Sequence, residues 1–385
     1  MNRFAQIAVV LLVVVWMSGC SWLRGEDNAT PPTELTDIQA RAKLDKVWER
    51  DVGAGIDDQF LRIRPAVAGG SVFAAERKGK VRAFDAATGK ELWVTDTQIE
   101  ISSGVGVGES LVLVGNSDAE VVALDWRDGH EVWRSQVSSE VLSVPGADQG
   151  TVVIQTVDGK LTGLNASDGS RLWVFDRTVP VLSLRGTASP MVTQGVVIAG
   201  ADNGKLAVLD ITKGLPAWET SVAVPHGRSE LERMVDIDAQ PQVWGKTIYS
   251  VSYQGRAVAI EGESGRILWS RDLSSAAGLG VDLSNVYVTD DMSHVWALDR
   301  DNGTSLWKQD KLANRTLTAP VAIGDYVAVA DFEGYVHLLA RSDGELVGRA
   351  RADSKGVLAP LIVDSEVLYV YGNGGTLTAY RIAGN

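Results

Sequence analysis

The chain has 385 residues, 45% of them hydrophobic, with 36 basic and 49 acidic side chains and a formal net charge of −13. That acidity argues against a nucleic-acid-binding surface, whose phosphates need Lys and Arg neutralisation, and no basic stripe with interleaved aromatics occurs. With one cysteine there is no intramolecular disulfide, so the fold relies on its core alone, and a body of roughly 340 residues can bury enough apolar surface for that.

Residues 1–19 read as a signal peptide. Arg3 supplies the positive start, and the apolar run over 5–15 is too short to span a bilayer. Met17-Ser18-Gly19-Cys20 follows. It resembles the lipobox of bacterial lipoproteins, with Met17 in place of the more usual Leu. The resemblance implies cleavage before Cys20 and lipidation of that cysteine. Several acyl chains on one cysteine anchor a protein stably where one chain does not. Lipoproteins kept at the inner membrane typically carry Asp after the cysteine, so Ser21 favours the outer membrane. Residues 20–44 are polar, contain Pro31-Pro32 and read as a flexible tether. The folded domain is expected over 45–385.

In that domain a thirteen-residue phrase recurs. It reads VRAFDAATGKELW at 81–93, VVALDWRDGHEVW at 121–133 and LTGLNASDGSRLW at 161–173, and returns at 206–218, 257–269 and 295–307. A worn copy at 336–348 puts Gly348 where the Trp belongs. Periods near 40 residues signal a repeat architecture. The copy around Trp218 shows the unit: PMVT, VVIAG, KLAVLD and the Trp strand, four short apolar runs joined by Gly-containing turns. Pro65, Pro145, Pro190, Pro241, Pro320 and Pro360 stand at the start of the first strand, where no ladder donor is lost. No 3.6-residue periodicity interrupts the pattern.

Such blades stack as a solenoid or close as a propeller. The chain ends decide between them. The last repeat stops after its third strand, LTAYR at 377–381, while DKVWERDV at 45–52 is an orphan fourth strand carrying Trp48. The expectation is an all-β, eight-bladed β-propeller of four-stranded antiparallel blades. Its ring is closed by the N-terminal strand around Trp48, which completes the C-terminal blade. Each Trp should pack between neighbouring blades, since the spacing of these residues follows the blade period.

Catalytic chemistry is not legible. His130, His226, His294 and His337 are far apart and read as surface turn residues. Asp202-Asn203-Gly204 and Asp301-Asn302-Gly303 lack the further acidic ligands of a calcium loop and fall where every repeat turns. No phosphate loop or nucleophile elbow occurs. No catalytic residue, metal site or cofactor is expected. The phrase ALDRDNGTSLW at 297–307 resembles the repeat of pyrroloquinoline-quinone dehydrogenases, also eight-bladed propellers. That family holds its quinone beside calcium in the central channel, often against an adjacent-cysteine disulfide, and neither the disulfide nor the ligand set can be assembled here. A quinone-dependent dehydrogenase is the alternative reading, and a propeller serving another envelope partner is a third.

Most Trp spacings are 38–41 residues, but Trp173 to Trp218 is 45 and Trp218 to Trp269 is 51. The extra residues, 179–190 and 224–241, flank one blade and emerge on one face. (Trp48 to Trp93 is also 45, on the far side of the ring.) One insert offers Leu182, Leu184 and Arg185; the other offers Asp236 and Asp238. Two readings stand. In one, an apolar and arginine anchor sits in a polar rim, as an interface requires. In the other, the leucines tuck into the core and Arg185 pairs internally with Asp236 or Asp238.

Lipobox, tether, blades, LSLRG at 182–186 and DIDAQP at 236–241 together resemble the BamB family, the lipoprotein subunits of the outer-membrane β-barrel assembly (BAM) machinery. The resemblance implies a non-catalytic scaffold on the periplasmic face of the outer membrane that aids folding and insertion of outer-membrane proteins. It implies contact with the POTRA domains of BamA through Leu182, Leu184, Arg185, Asp236 and Asp238. Unfolded outer-membrane protein clients are a further expected partner, adding to exposed strand edges at the blade rims.

Overall fold

The computed structural model describes residues 30–184 and 188–384. The chain divides at Pro32; of the first unit only residues 30–32 are described, and they carry no regular secondary structure. The second unit, Thr33–Asn385, is all-β among its described residues.

Its strands form eight four-stranded antiparallel sheets. Seven are continuous in sequence: blade 1 covers residues 66–96, blade 2 106–136, blade 3 146–175, blade 4 191–221, blade 5 242–272, blade 6 278–309 and blade 7 321–351. Blade 8 takes three strands from residues 362–384 and its fourth from Ala42–Asp51. In that closing pair Trp48 faces Ala379, and a bulge lies between Lys46 and Trp48. The same bulge precedes the Trp in the other blades, as between Ala123 and Leu124 opposite Trp133. It turns each indole toward the next blade.

The Trp positions form one repeated joint. Each indole Nε1–H donates to a backbone carbonyl of the following blade, at 2.8–3.0 Å in all seven cases, for example Trp133 to Ala166 O. Each ring also lies against the glycine of the next blade's last hairpin. Gly89, Gly129, Gly169, Gly214, Gly265, Gly303 and Gly344 all have φ between 66° and 77°. A Cβ on any of them would stand 2.4–2.7 Å from the indole or its neighbour. The repeat phrase therefore encodes both halves of the joint: a Trp, and four residues before it the glycine that receives the previous blade's Trp.

Gly348 is explained by the same joint. An indole there would dock on the hairpin between the third and fourth strands of blade 8. That hairpin does not exist, because those strands come from opposite ends of the chain. The start of the closing strand fills the place instead: Arg41 N–H donates to Val347 O at 2.8 Å, and a Cβ on residue 348 would lie 2.7 Å from Ala42 O.

The segment before the closing strand also lies on the propeller. Thr33 N–H donates to Ala313 O, Arg315 Nη1 donates to Thr33 O at 2.9 Å, and Arg349 Nη1 donates to Thr36 O at 3.1 Å. Leu35 and Ile38 pack beside Trp307, Leu312 and Leu317. Beneath them His337 corrects the expectation of four surface histidines. It sits in the strand Tyr335–Ala340, fully buried, between Asp331 Oδ2 at 2.9 Å and Arg349 Nε at 3.2 Å. Asp331, in the turn before this strand, supplies the acceptor that a buried imidazole needs.

Removing one indole leaves a cavity and an unpaired carbonyl. Trp133→Ala should destabilise the ring by roughly 3–5 kcal/mol, read as a fall in the urea midpoint. Gly348→Trp should destabilise as well, despite restoring the repeat. A Gly348→Trp protein as stable as wild type would refute this account of the closure.

Candidate partner-binding face

In an antiparallel blade the connection to the next blade leaves on the same side as the second-to-third hairpin. Three of these connections are long: residues 52–65, 176–190 and 222–241. They therefore emerge on one face, around one mouth of the central channel. Their exposed apolar side chains are Phe60 (75% exposed), Val181 (90%), Leu182 (46%), Val224 (66%) and Leu231 (60%).

The two connections flanking blade 4 are tied together from within. Leu184 is half-buried, and its N–H donates to the Asp236 carboxylate. The second connection folds back through Met234, Val235, Ile237 and Ala239, all buried. Apolar and acidic residues alternate along 235–239, yet every position of 234–239 is buried, so Asp236 and Asp238 lie inside with their apolar neighbours. Asp236 is fully buried and Asp238 is 8% exposed. The structure thus brings Leu184, Asp236 and Asp238 together beneath the surface and leaves Leu182 on it. Arg185 lies outside the described residues, as does Cys20.

Asp202, from blade 4, is the third carboxyl of the group. Burial, with repulsion from Asp202, pushes Asp236 up to about 7. Burial, then Asp236 and Asp202, holds Asp238 well above the usual carboxylate range, against the opposing pull of Arg62. Burial raises Asp202 too, against a hydrogen bond from Ser183.

The third connection was the one that Trp spacing flagged and sequence order placed far away. The ring brings it to the same mouth. Arg62 Nη1 donates to Ala276 O at 3.2 Å and Arg64 Nη1 to Gln240 Oε1 at 3.0 Å, linking blade 1 to the opposite wall at blade 5 and its exit. Phe60, Arg62 and Arg64 line a cavity of about 740 Å³ with Leu184, Asp238 and the inner strands. Their signal was the spacing of 45 between Trp48 and Trp93, equal to the one that marked Leu182.

This donor set does not suit a calcium-bound quinone. Among the described residues no group of three His, Cys, Asp or Glu is placed to hold a metal ion. Among the described residues the channel wall offers a single carboxyl, Asp238, which burial holds well above the usual carboxylate range. Cys20, the one cysteine, precedes the propeller.

Fold and face together define a propeller of the quinoprotein repeat type whose long connections gather at one channel mouth. Quinohemoprotein alcohol dehydrogenase from Comamonas testosteroni shares the architecture, with a TM-score of 0.68 over 88% of this chain and 76% of that one, but at 14% identity the likeness is one of fold. The family described as "Outer membrane protein assembly factor BamB" matches residues 40–98, 77–309 and 303–384, and the chain belongs to that family. The Pseudomonas aeruginosa member is 53% identical over 376 residues, covering 97% of this chain and 98% of the relative. The Alkalilimnicola ehrlichii member is 47% identical, covering 99% and 97%. The crystal structure of BamB from Moraxella catarrhalis superposes with a TM-score of 0.81 at 28% identity, covering 88% of this chain and 99% of that one.

A carboxyl whose pKa is raised on folding binds protons more tightly in the native state. Stability then falls as pH rises from about 4 through 7, the window between the unfolded and folded values of Asp236. The melting temperature should therefore rise on acidification from pH 8 to pH 6. Asp236→Asn keeps an oxygen for Leu184 N–H and should melt a few degrees above wild type at pH 8, with a flatter pH profile. A variant less stable than wild type at pH 8 would contradict the assignment.

Proposed function

We propose that this chain, an outer membrane protein assembly factor of the BamB family and a subunit of the BAM complex, works as a non-catalytic scaffold. It docks the POTRA domains of BamA on the channel-mouth face and is held at the periplasmic side of the outer membrane by lipid on Cys20. The observation that supports this reading is the gathering of three long connections on one face, with Leu182 exposed above a rigid, internally bonded base. Anchors of this kind bind through a few side chains, and a base fixed before binding spares the cost of ordering it. Asp236 and Asp238 serve the contact by shaping the 176–190 and 222–241 connections.

Arg185→Ala should weaken capture of the BamA periplasmic domains by about 2 kcal/mol if Arg185 is a central anchor, with the melting temperature nearly unchanged. Capture equal to wild type by a folded Arg185→Ala and Leu182→Ala double variant would overturn the choice of face. The anchor is tested separately. Cys20→Ser should move the chain from the membrane to the soluble periplasmic fraction, and retention in the membrane would exclude Cys20 lipidation as the tether.

A further inference from the structure

The connection over residues 52–65 places in the channel mouth a charge that the fold does not balance. Arg64 carries five donors in a rigid fork. One of them reaches Gln240 Oε1, while Nε is buried without a partner among the described residues. No carboxylate pairs with Arg64 among those residues. The surrounding wall strips water from the guanidinium and pulls its pKa down to about 10. A desolvated, unpaired cation is costly, and bridging to Gln240 alone would need only a neutral amide. The chain nonetheless makes room for it: a Cβ on Gly104 would stand 3.0 Å from Arg64 Cγ.

The space in front of Arg64 suits a small molecule. The cavity, about 740 Å³, falls in the size range of small-ligand sites. Its apolar wall includes Leu142, Val144, Leu279, Val321 and Leu361. Arg62 stands at the same mouth, with Ala276 O as its hydrogen-bond partner among the described residues. Asp238 lines the same cavity, and burial holds its carboxyl well above the usual carboxylate range. A guanidinium fork matches a carboxylate with two parallel hydrogen bonds.

We propose that the channel mouth is a binding site for a small amphipathic carboxylate, its head on Arg64 with Arg62 beside it and its apolar body along the channel wall. The site lies inside the mouth, with Arg64 as its anchor, and shares Asp238 with the base beneath the docking face.

Calorimetric titration of the full chain in nanodiscs, with empty nanodiscs as baseline, tests it. The probes are 4-phenylbutanoate and its neutral counterpart 4-phenylbutan-1-ol. The carboxylate should bind at least tenfold more tightly than the alcohol, and Arg64→Gln should erase that difference while leaving alcohol binding in place. A second measurement needs no variant: modification of Arg64 by phenylglyoxal, mapped by mass spectrometry, should be slowed by 4-phenylbutanoate and not by the alcohol. Equal binding of the two probes, no binding of either, or an Arg64 modification rate unaffected by the carboxylate would overturn the proposal.

Discussion

The ring depends on the joint between an indole and a glycine. Seven tryptophans each bury a ring against a hairpin glycine of the next blade and satisfy their N–H on that blade's backbone. The joint combines a large apolar contact with a directional bond, so it fixes the angle between blades as well as holding them together. Blades 1 to 6 each present both halves, so the geometry propagates around most of the ring. At the boundary between blades 7 and 8 it is replaced by the start of the closing strand, where Arg41 N–H donates to Val347 O, and that strand is zipped to the other chain end inside blade 8. Closure there is by backbone ladder, and Gly348 is small so that the incoming strand can pass.

A ring held this firmly frees its connections to vary. Three of them are long, and they meet at one channel mouth although they are separated by up to about half of the circuit. Inside, the connections beside blade 4 are bound by a carboxylate that accepts from a backbone N–H across the gap. Outside, they expose Val181, Leu182, Val224 and Leu231. The carboxyls raised by burial are a cost of that construction, and it falls where the loops must be rigid. Arg64 is a different case: it lines the channel cavity, and its buried Nε has no partner among the described residues.

Much of this was legible without coordinates. The Trp period, the turn glycines and the complementary fragments at the chain ends define blade number, strand order and closure, because a local period-two pattern and a hairpin glycine are properties of neighbouring residues. The binding face was legible in outline, through the spacing around Leu182 and Asp236. The role of each side chain in it was not. Asp236 and Asp238 look like surface acids in sequence, since they alternate with Val235, Ile237 and Ala239, but the fold covers both sides of the segment.

His337 and Arg64 lie beyond any local pattern. His337 is buried with its partners supplied by Asp331, itself bonded by Arg315, and by Arg349, from neighbouring strands and turns. Arg64 reaches Gln240 because an eight-membered ring sets blade 1 opposite blade 5. The sequence by itself determined the repeat, the blade count, the closing strand and which connections are long. Tertiary structure alone decided which of those connections share a mouth and which of their charges lose water, because burial and distance across the ring arise only once the ring has closed.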